Sequence, residues 1–466
     1  MTPALAVKPD PAPAGFTWPQ LMRLALVQTA IGAMVVITTS TLNRVMVIEH
    51  GFAATVPGAL VALHYAVQML RPRFGHGADT GRGRTGWIVG GLAVLAVGTI
   101  GAAAATGLAA SHPLPGLLAS ALAFVLIGAG VGAAGTNLLA LVAQGTAAHR
   151  RGQAATLMWT LMIAGFAVTA GTAGHFLDPF SDARLLAVTG VVAGLAFLVS
   201  ALSIRGIEQP SRAVGDAAPR LPRRSSAAFR AALASVWRED ETRRFTLFVF
   251  ISMFAYNAQD LILEPFAGSL FAMSPGETTQ LSGAQHGGTF AGMIAVALAG
   301  WLFARRFPGL LRILCVAGCI GSASAFGLLY GSTLQPAGES PGAFPLSAVV
   351  TGLGFFNGVF AVAAIGSMMG LSARTEDTCP RHGIRMGLWG AAQAIAFGLG
   401  GFAGTALVDL VQFGGGSPAT AYGSVFAVEA VCFLISGALA WVCVADRSAA
   451  PRSAGPPSYS LPGATA

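Results

Sequence analysis

Long apolar runs separated by short polar breaks set the pattern of this chain. They predict helices over 21–48, 53–72, 86–109, 115–143, 153–177 and 183–205. After a polar stretch come 244–270, 280–304, 309–331, 343–372, 384–410 and 420–445. Each run is continuous rather than alternating, so closed barrels are excluded. A helical crossing takes about 20 apolar residues, and most of these runs meet that length. The expected fold is an all-α membrane protein with twelve transmembrane helices in two six-helix halves. Expected boundaries are a tail at 1–20, a first half at 21–205, a linker at 206–243, a second half at 244–446 and a tail at 447–466.

Composition agrees with a lipid solvent. Charged residues are 10% of the 466 and apolar residues 54%, against about 25% charged in a soluble domain. That balance argues against a disordered chain, a nucleic-acid-binding domain and an ordinary cytosolic enzyme. Met1 to Pro19 is rich in Pro and Ala and has no cleavable apolar core, so insertion is expected from the first span. The Cys residues, Cys315 and Cys319 four apart among them, form no framework and are expected to be small buried side chains. The linker holds Pro210, Pro219, Pro222 and Arg223-Arg224. Within it, 229–237 is either a short amphipathic surface helix or unstructured.

Charge changes the picture once it is sorted by loop. Of the 27 Lys and Arg residues, only Arg44 and Arg184 fall outside alternate loops and tails. The positive-inside rule then places both termini in the cytoplasm and supports an even number of spans. The expected location is the inner membrane, with an Arg-rich inner face suited to anionic lipids.

Ionisable and polar residues inside spans are functional candidates by default. Span one carries Asn43, Arg44 and Glu49. Span seven carries Asn257, Gln259, Asp260 and Glu264, with Asp260 and Glu264 on one helix face. Arg44 and Asp260 have opposite signs and equivalent places in the two halves, so an ion pair between them is expected. A ligand or proton-coupling role and simple exposure are the alternatives. His64 and Gln68, also four apart, lie in span two, and His286 lies in span eight. Each His is either bonded to a neighbouring helix or free to ligate a metal. Gly128, Gly132 and Gly135, Gly354 and Gly358, and Gly400 and Gly404 form small faces for close helix packing. No nucleotide loop, zinc spacing or nucleophile order stands out, and no enzymatic activity is expected.

The plan of two six-span halves and a central linker resembles the major facilitator superfamily. The segment with Gly75, Asp79, Arg82 and Arg84 resembles that superfamily's loop signature, although Thr80 stands where a basic residue is usual. Its Asp is expected to pair with Arg and latch the halves from a tight loop. More specific are Thr41-Leu42-Asn43-Arg44-Val45-Met46, Leu63-His64-Tyr65-Ala66-Val67-Gln68, Gln259-Asp260-Leu261-Ile262-Leu263-Glu264-Pro265 and Met386-Gly387-Leu388-Trp389-Gly390. These resemble the PucC/LhaA family over about residues 20–445, and the His64 and His286 segments resemble the PucC side of it. The resemblance implies a membrane assembly factor for the light-harvesting antenna of a purple phototrophic bacterium. It implies antenna polypeptides as partners, the peripheral light-harvesting 2 complex above all, and bacteriochlorophyll as cargo. His64, Gln68 and His286 are then candidate pigment-binding residues, with an imidazole on the chlorin magnesium and no other metal. The alternative is a proton-coupled transporter of a small solute.

Overall fold

The computed structural model describes residues 15–80, 83–147, 150–208, 237–238, 240–303, 306–307, 309–334, 345–373 and 382–443. Among them the regular structure is helical. In chain order the helices are α1 (Trp18–Glu49), α2 (Thr55–Gln68), α3 (Arg71–Thr80), α4 (Thr85–Ser111), α5 (Pro113–Gly145), α6 (Arg151–Leu177) and α7 (Asp182–Ile204). The second series is α8 (Asp240–Phe271), α9 (Pro275–Phe303), α10 (Leu310–Thr333), α11 (Leu346–Ala373), α12 (His382–Phe413) and α13 (Pro418–Cys443). Eleven of them are long and apolar enough to cross a membrane. With the short α2 they account for twelve crossings, and the chain is a multi-pass membrane protein.

The run expected over 53–72 divides. α2 ends at Gln68, and α3 starts at Arg71 with Pro72 in its first turn. The restriction on the residue before Pro ends one helix, and Pro is well placed to begin the next. Gly75 and Asp79 therefore sit on a ten-residue helix, not in the tight loop expected of them. Arg82 and the side chain of Asp79 lie outside the described residues, as do most of the linker and the proposed surface helix at 229–236.

Two apolar cores form. One gathers residues from Leu21 to Ile207, the other residues from Phe245 to Cys443. Each borrows one residue across the seam: Leu261 of α8 joins the first core, and Ala54, just before α2, joins the second. The halves meet where α6 packs on α9 and α2 on α12. The outside is as apolar as the inside, with Trp301 82% exposed and Phe176 and Leu118 each 64%. That pattern is natural where lipid is the solvent.

Because lipid supplies no hydrophobic drive between helices, close backbone approach holds them together. The α9–α11 crossing shows this best. Gly354 lies against the Gln285 carbonyl and Gly358 against the Thr289 carbonyl, while Gly288 and Gly292 answer from α9. A Cβ at any of these positions would collide with backbone. Gly400 makes the same kind of contact with the Phe254 carbonyl of α8. Gly128 and Gly132 receive Val67 and Phe74, whereas Gly135 faces open space.

Candidate functional site

α1 carries two π turns, Ile37–Thr41 and Val45–Glu49, on either side of Leu42–Arg44. Such turns cluster at functional sites because they re-aim side chains. Here they turn a run of polar groups toward α8 and α9. Ser40 donates to the Glu264 carboxylate, and its Oγ lies 3.1 Å from Ser282 Oγ. The Thr41 and Thr279 hydroxyls are 3.2 Å apart. Asn43 Nδ2 donates to the Leu261 carbonyl at 2.7 Å. These contacts form a polar seam between the halves, all of it buried.

Arg44 does not pair with Asp260. Its Nη1 donates to Glu49, and its Nη2 donates to the Met273 carbonyl at 2.8 Å. The second π turn explains the first partner. In an α-helix a residue five positions on points about 140° away. Widening the turn brings Glu49 round beside Arg44. The guanidinium then rests over Gly268, eight residues and about 12 Å of helix beyond Asp260.

The span-seven residues part company. Asn257 accepts from Tyr65 Oη at 3.3 Å and donates to the Phe397 carbonyl at 2.7 Å, tying α8 to α2 and α12. Gln259 turns the other way and accepts from Asn357 at 3.0 Å, which itself accepts from Ser322 at 2.8 Å. Asp260 and Glu264 line a small cavity with Thr39, Ser40, Ser282, Gln285, His286 and Phe166. Its volume is about 20 Å³, room for one water.

Of the two histidines, His286 lines that cavity and His64 does not. His64 Nε2 lies 2.8 Å from Gln68 Nε2, and Arg71 donates to the side-chain Oε1 of Gln68. His286 packs edge-on against Phe166, with ring centres 4.9 Å apart. Both rings are buried, and the Nδ1 of each lacks a partner. The Gln68 amide nitrogen can only donate, so His64 Nε2 accepts and its Nδ1 carries the ring proton; the space beside His286 is far too small for a chlorin.

Of the signature segment, Arg84 is the best described. Its side chain donates to Asn137 at 3.1 Å and Gln144 at 3.2 Å. Glu208 accepts the backbone N–H groups of Arg84 and Thr85, both at 2.7 Å, at the start of α4. Partial burial works against the Glu208 carboxylate, but those donors and the Arg84 charge outweigh it and hold its pKa below the usual value. These contacts join the first half to the start of the linker and do not reach the second half.

Three features had no sequence signal strong enough to find them. Asp178, after α6, accepts from Ser274 Oγ at 2.6 Å and the Gly276 N–H at 3.2 Å at the start of α9. Asp409, in α12, accepts the N–H groups of Ala54 at 2.9 Å and Thr55 at 2.7 Å at the start of α2. The third is a groove of about 570 Å³ on the outer face of α4 and α5. Phe74, Trp87, Gly86, Gly90, Val94 and Ala133 are among its walls, and Gly86 and Gly90 have open space where a Cβ would lie.

The chain is 49% identical to a Rhodobacter capsulatus protein named "Bacteriochlorophyll synthase 44.5 kDa chain", over 93% of this chain and 97% of that one. It is 28% identical to Protein PucC of Cereibacter sphaeroides, over 88% and 89% of the two chains. Its fold is that of crystal structures of the nucleoside transporter NupG and a D-xylose-proton symporter, each at a TM-score of 0.66. Identity to these is only 11% and 13%, over 91% and 92% of this chain and 99% and 98% of theirs, so the likeness concerns the major facilitator fold. Residues 41–447 match the family model described as PUCC protein, and the chain belongs to that family.

Proposed function

We propose that the chain is a membrane assembly factor rather than an enzyme, and that it holds or delivers bacteriochlorophyll to light-harvesting antenna polypeptides. The peripheral antenna is its first client in this reading. Family membership and the printed name of the 49%-identical relative support a role around bacteriochlorophyll. The observation that carries the reading is the groove on α4 and α5. Pockets for drug-sized ligands span roughly 300–1,000 Å³, and this one is walled by exposed residues of α4, Gly86, Trp87, Gly90 and Val94. Its floor is glycine, and Trp87 and Phe74 flank it with ring centres 6.3 Å apart. A flat apolar cargo can enter from the bilayer without crossing water. The central seam is filled with paired polar groups, so His64, Gln68 and His286 can reach a chlorin magnesium only if the halves separate. We assign the resident cargo to the groove.

The same reading places both termini in the cytoplasm and the Arg-rich loops on anionic headgroups. A second reading, a proton-coupled carrier of a small solute, draws on the carboxyls of Asp260 and Glu264 at the seam. It requires the 20 Å³ cavity to open widely.

The test is genetic. A phototrophic host lacking the chain should lose antenna absorbance relative to its reaction centres. Wild-type chain should restore it, and Gly90→Leu, which fills the groove, should not. Normal antenna absorbance without the chain would overturn the proposal.

A further inference from the structure

Glu264 is a carboxylate in an oxygen-rich nest, with the Arg44 charge in electrostatic reach but paired directly to Glu49. Glu264 is 1% exposed. Ser40 donates to one of its oxygens, and Oε2 has no partner. Four more hydroxyl-bearing side chains surround it. Ser282 Oγ is 3.1 Å from Ser40 Oγ, and Thr278 and Thr279 lie within hydrogen-bonding reach of the carboxylate. Thr41 pairs with Thr279. Thr278 also reaches the Pro275 carbonyl at 3.2 Å, and Thr41 and Thr279 share one contact. The Ser282 hydroxyl accepts from Ser40 and keeps its own proton free to turn. The nearest guanidinium, Arg44, is bound to Glu49 and the Met273 carbonyl.

A buried carboxylate without a counter-charge is costly. Carboxylate and hydroxyl oxygens favour hard cations over transition metals. No group of three His, Cys, Asp or Glu side chains able to hold a metal ion occurs among the described residues, so any ion here would rest on one carboxylate and hydroxyl oxygens. The cavity beside Glu264, about 20 Å³, matches one water or one bare monovalent ion. His286 supplies independent support: its Nδ1 is unpartnered, the residue is 5% exposed, and it lines this same cavity. The π turn Ile37–Thr41 lies beside this cavity and places Thr39 and Ser40 in its wall.

We propose that Glu264, with Ser40, Thr279 and Ser282, forms a Na⁺ site that fastens α1 of the first half to α8 and α9 of the second. A proton on Glu264 competes with the ion. The charged and titratable groups facing the site are Arg44 of α1, Asp260 of α8 and His286 of α9, and Glu429 of α13 lies within electrostatic reach of Asp260. The site is independent of the assembly reading, since it concerns the seam and not the groove.

The experiment uses purified full-length chain in detergent. Thermal stability is measured in NaCl, KCl and choline chloride at equal ionic strength across pH 5 to 9, with ²²Na⁺ binding measured in parallel. The expected result is a saturable rise in Tm with Na⁺ and one ²²Na⁺ per chain. Half-saturation should move to higher Na⁺ as pH falls. Glu264→Gln should abolish both signals. Ser282→Ala, a smaller change that keeps the carboxylate, should raise the half-saturating Na⁺ several-fold with the fold intact. A Tm that follows pH alone would assign the site to a proton and overturn the Na⁺ site. Binding of ²²Na⁺ unchanged in both variants would overturn it as well.

Discussion

Asp178 and Asp409 perform the same task on opposite sides of the seam. Asp178 follows the last residue of α6, and Asp409 lies in the last turns of α12. Each places its carboxylate on N–H groups at the start of a helix from the other half, α9 and α2 respectively. A carboxylate at a helix N-terminus satisfies orphan donors and meets the positive end of the helix dipole. The two contacts hold the halves together at the bundle end where α1 turns into α2. Replacing either with Ala should cost about 1 kcal/mol and raise the labelling rate of a cysteine introduced at this end. Unchanged labelling in the double variant would mean that the seam is held elsewhere.

The ion pair of Arg44 makes a second test. A double-mutant cycle between Arg44 and Glu49 should give a coupling of about 1–3 kcal/mol. The cycle between Arg44 and Asp260 should give a value near zero. Thermal unfolding in detergent reads both. A large Arg44–Asp260 coupling would restore the pairing suggested by sign and position alone.

Helix crossings closed by glycine tolerate no Cβ. Gly354→Ala should push α11 away from the Gln285 carbonyl of α9 and cost about 1–3 kcal/mol. Gly135→Ala faces open space and should leave the Tm unchanged. Equal effects at the two positions would argue against backbone contact as the cause.

Glu208 gives a pH dependence of known sign. Its folded pKa lies below its unfolded value. Its contribution is therefore complete above the unfolded carboxylate range, near 4.3, and is lost as pH falls through the lower folded value. The acid limb of the Tm–pH profile should flatten in Glu208→Gln, which also loses stability at neutral pH. A variant with an unchanged acid limb would remove Glu208 from the account.

Hydropathy alone located nearly every span, because each crossing must bury its backbone in continuous apolar helix. Arg44, Asp260 and Glu264 stood out for the same reason, as charges where charge is expensive. Their partners were illegible. The pairing of Arg44 with Glu49 depends on a π turn, and no residue type at 45–49 announces one. Asp178 and Asp409 sit at helix ends that any polar residue could occupy, and their partners lie across the seam, far away in the chain. The small faces at Gly354 and Gly400 were visible as spacings and do pack. The groove escaped notice because Gly86 and Gly90 matter for what they leave open.

The most direct test of the assembly reading is the absorption spectrum of gently solubilised chain purified from pigment-producing cells. The account predicts bacteriochlorophyll bound to wild-type protein and lost from Gly90→Leu, with the Tm of the two proteins equal. Pigment-free wild-type protein, or a variant that keeps its pigment, would contradict it.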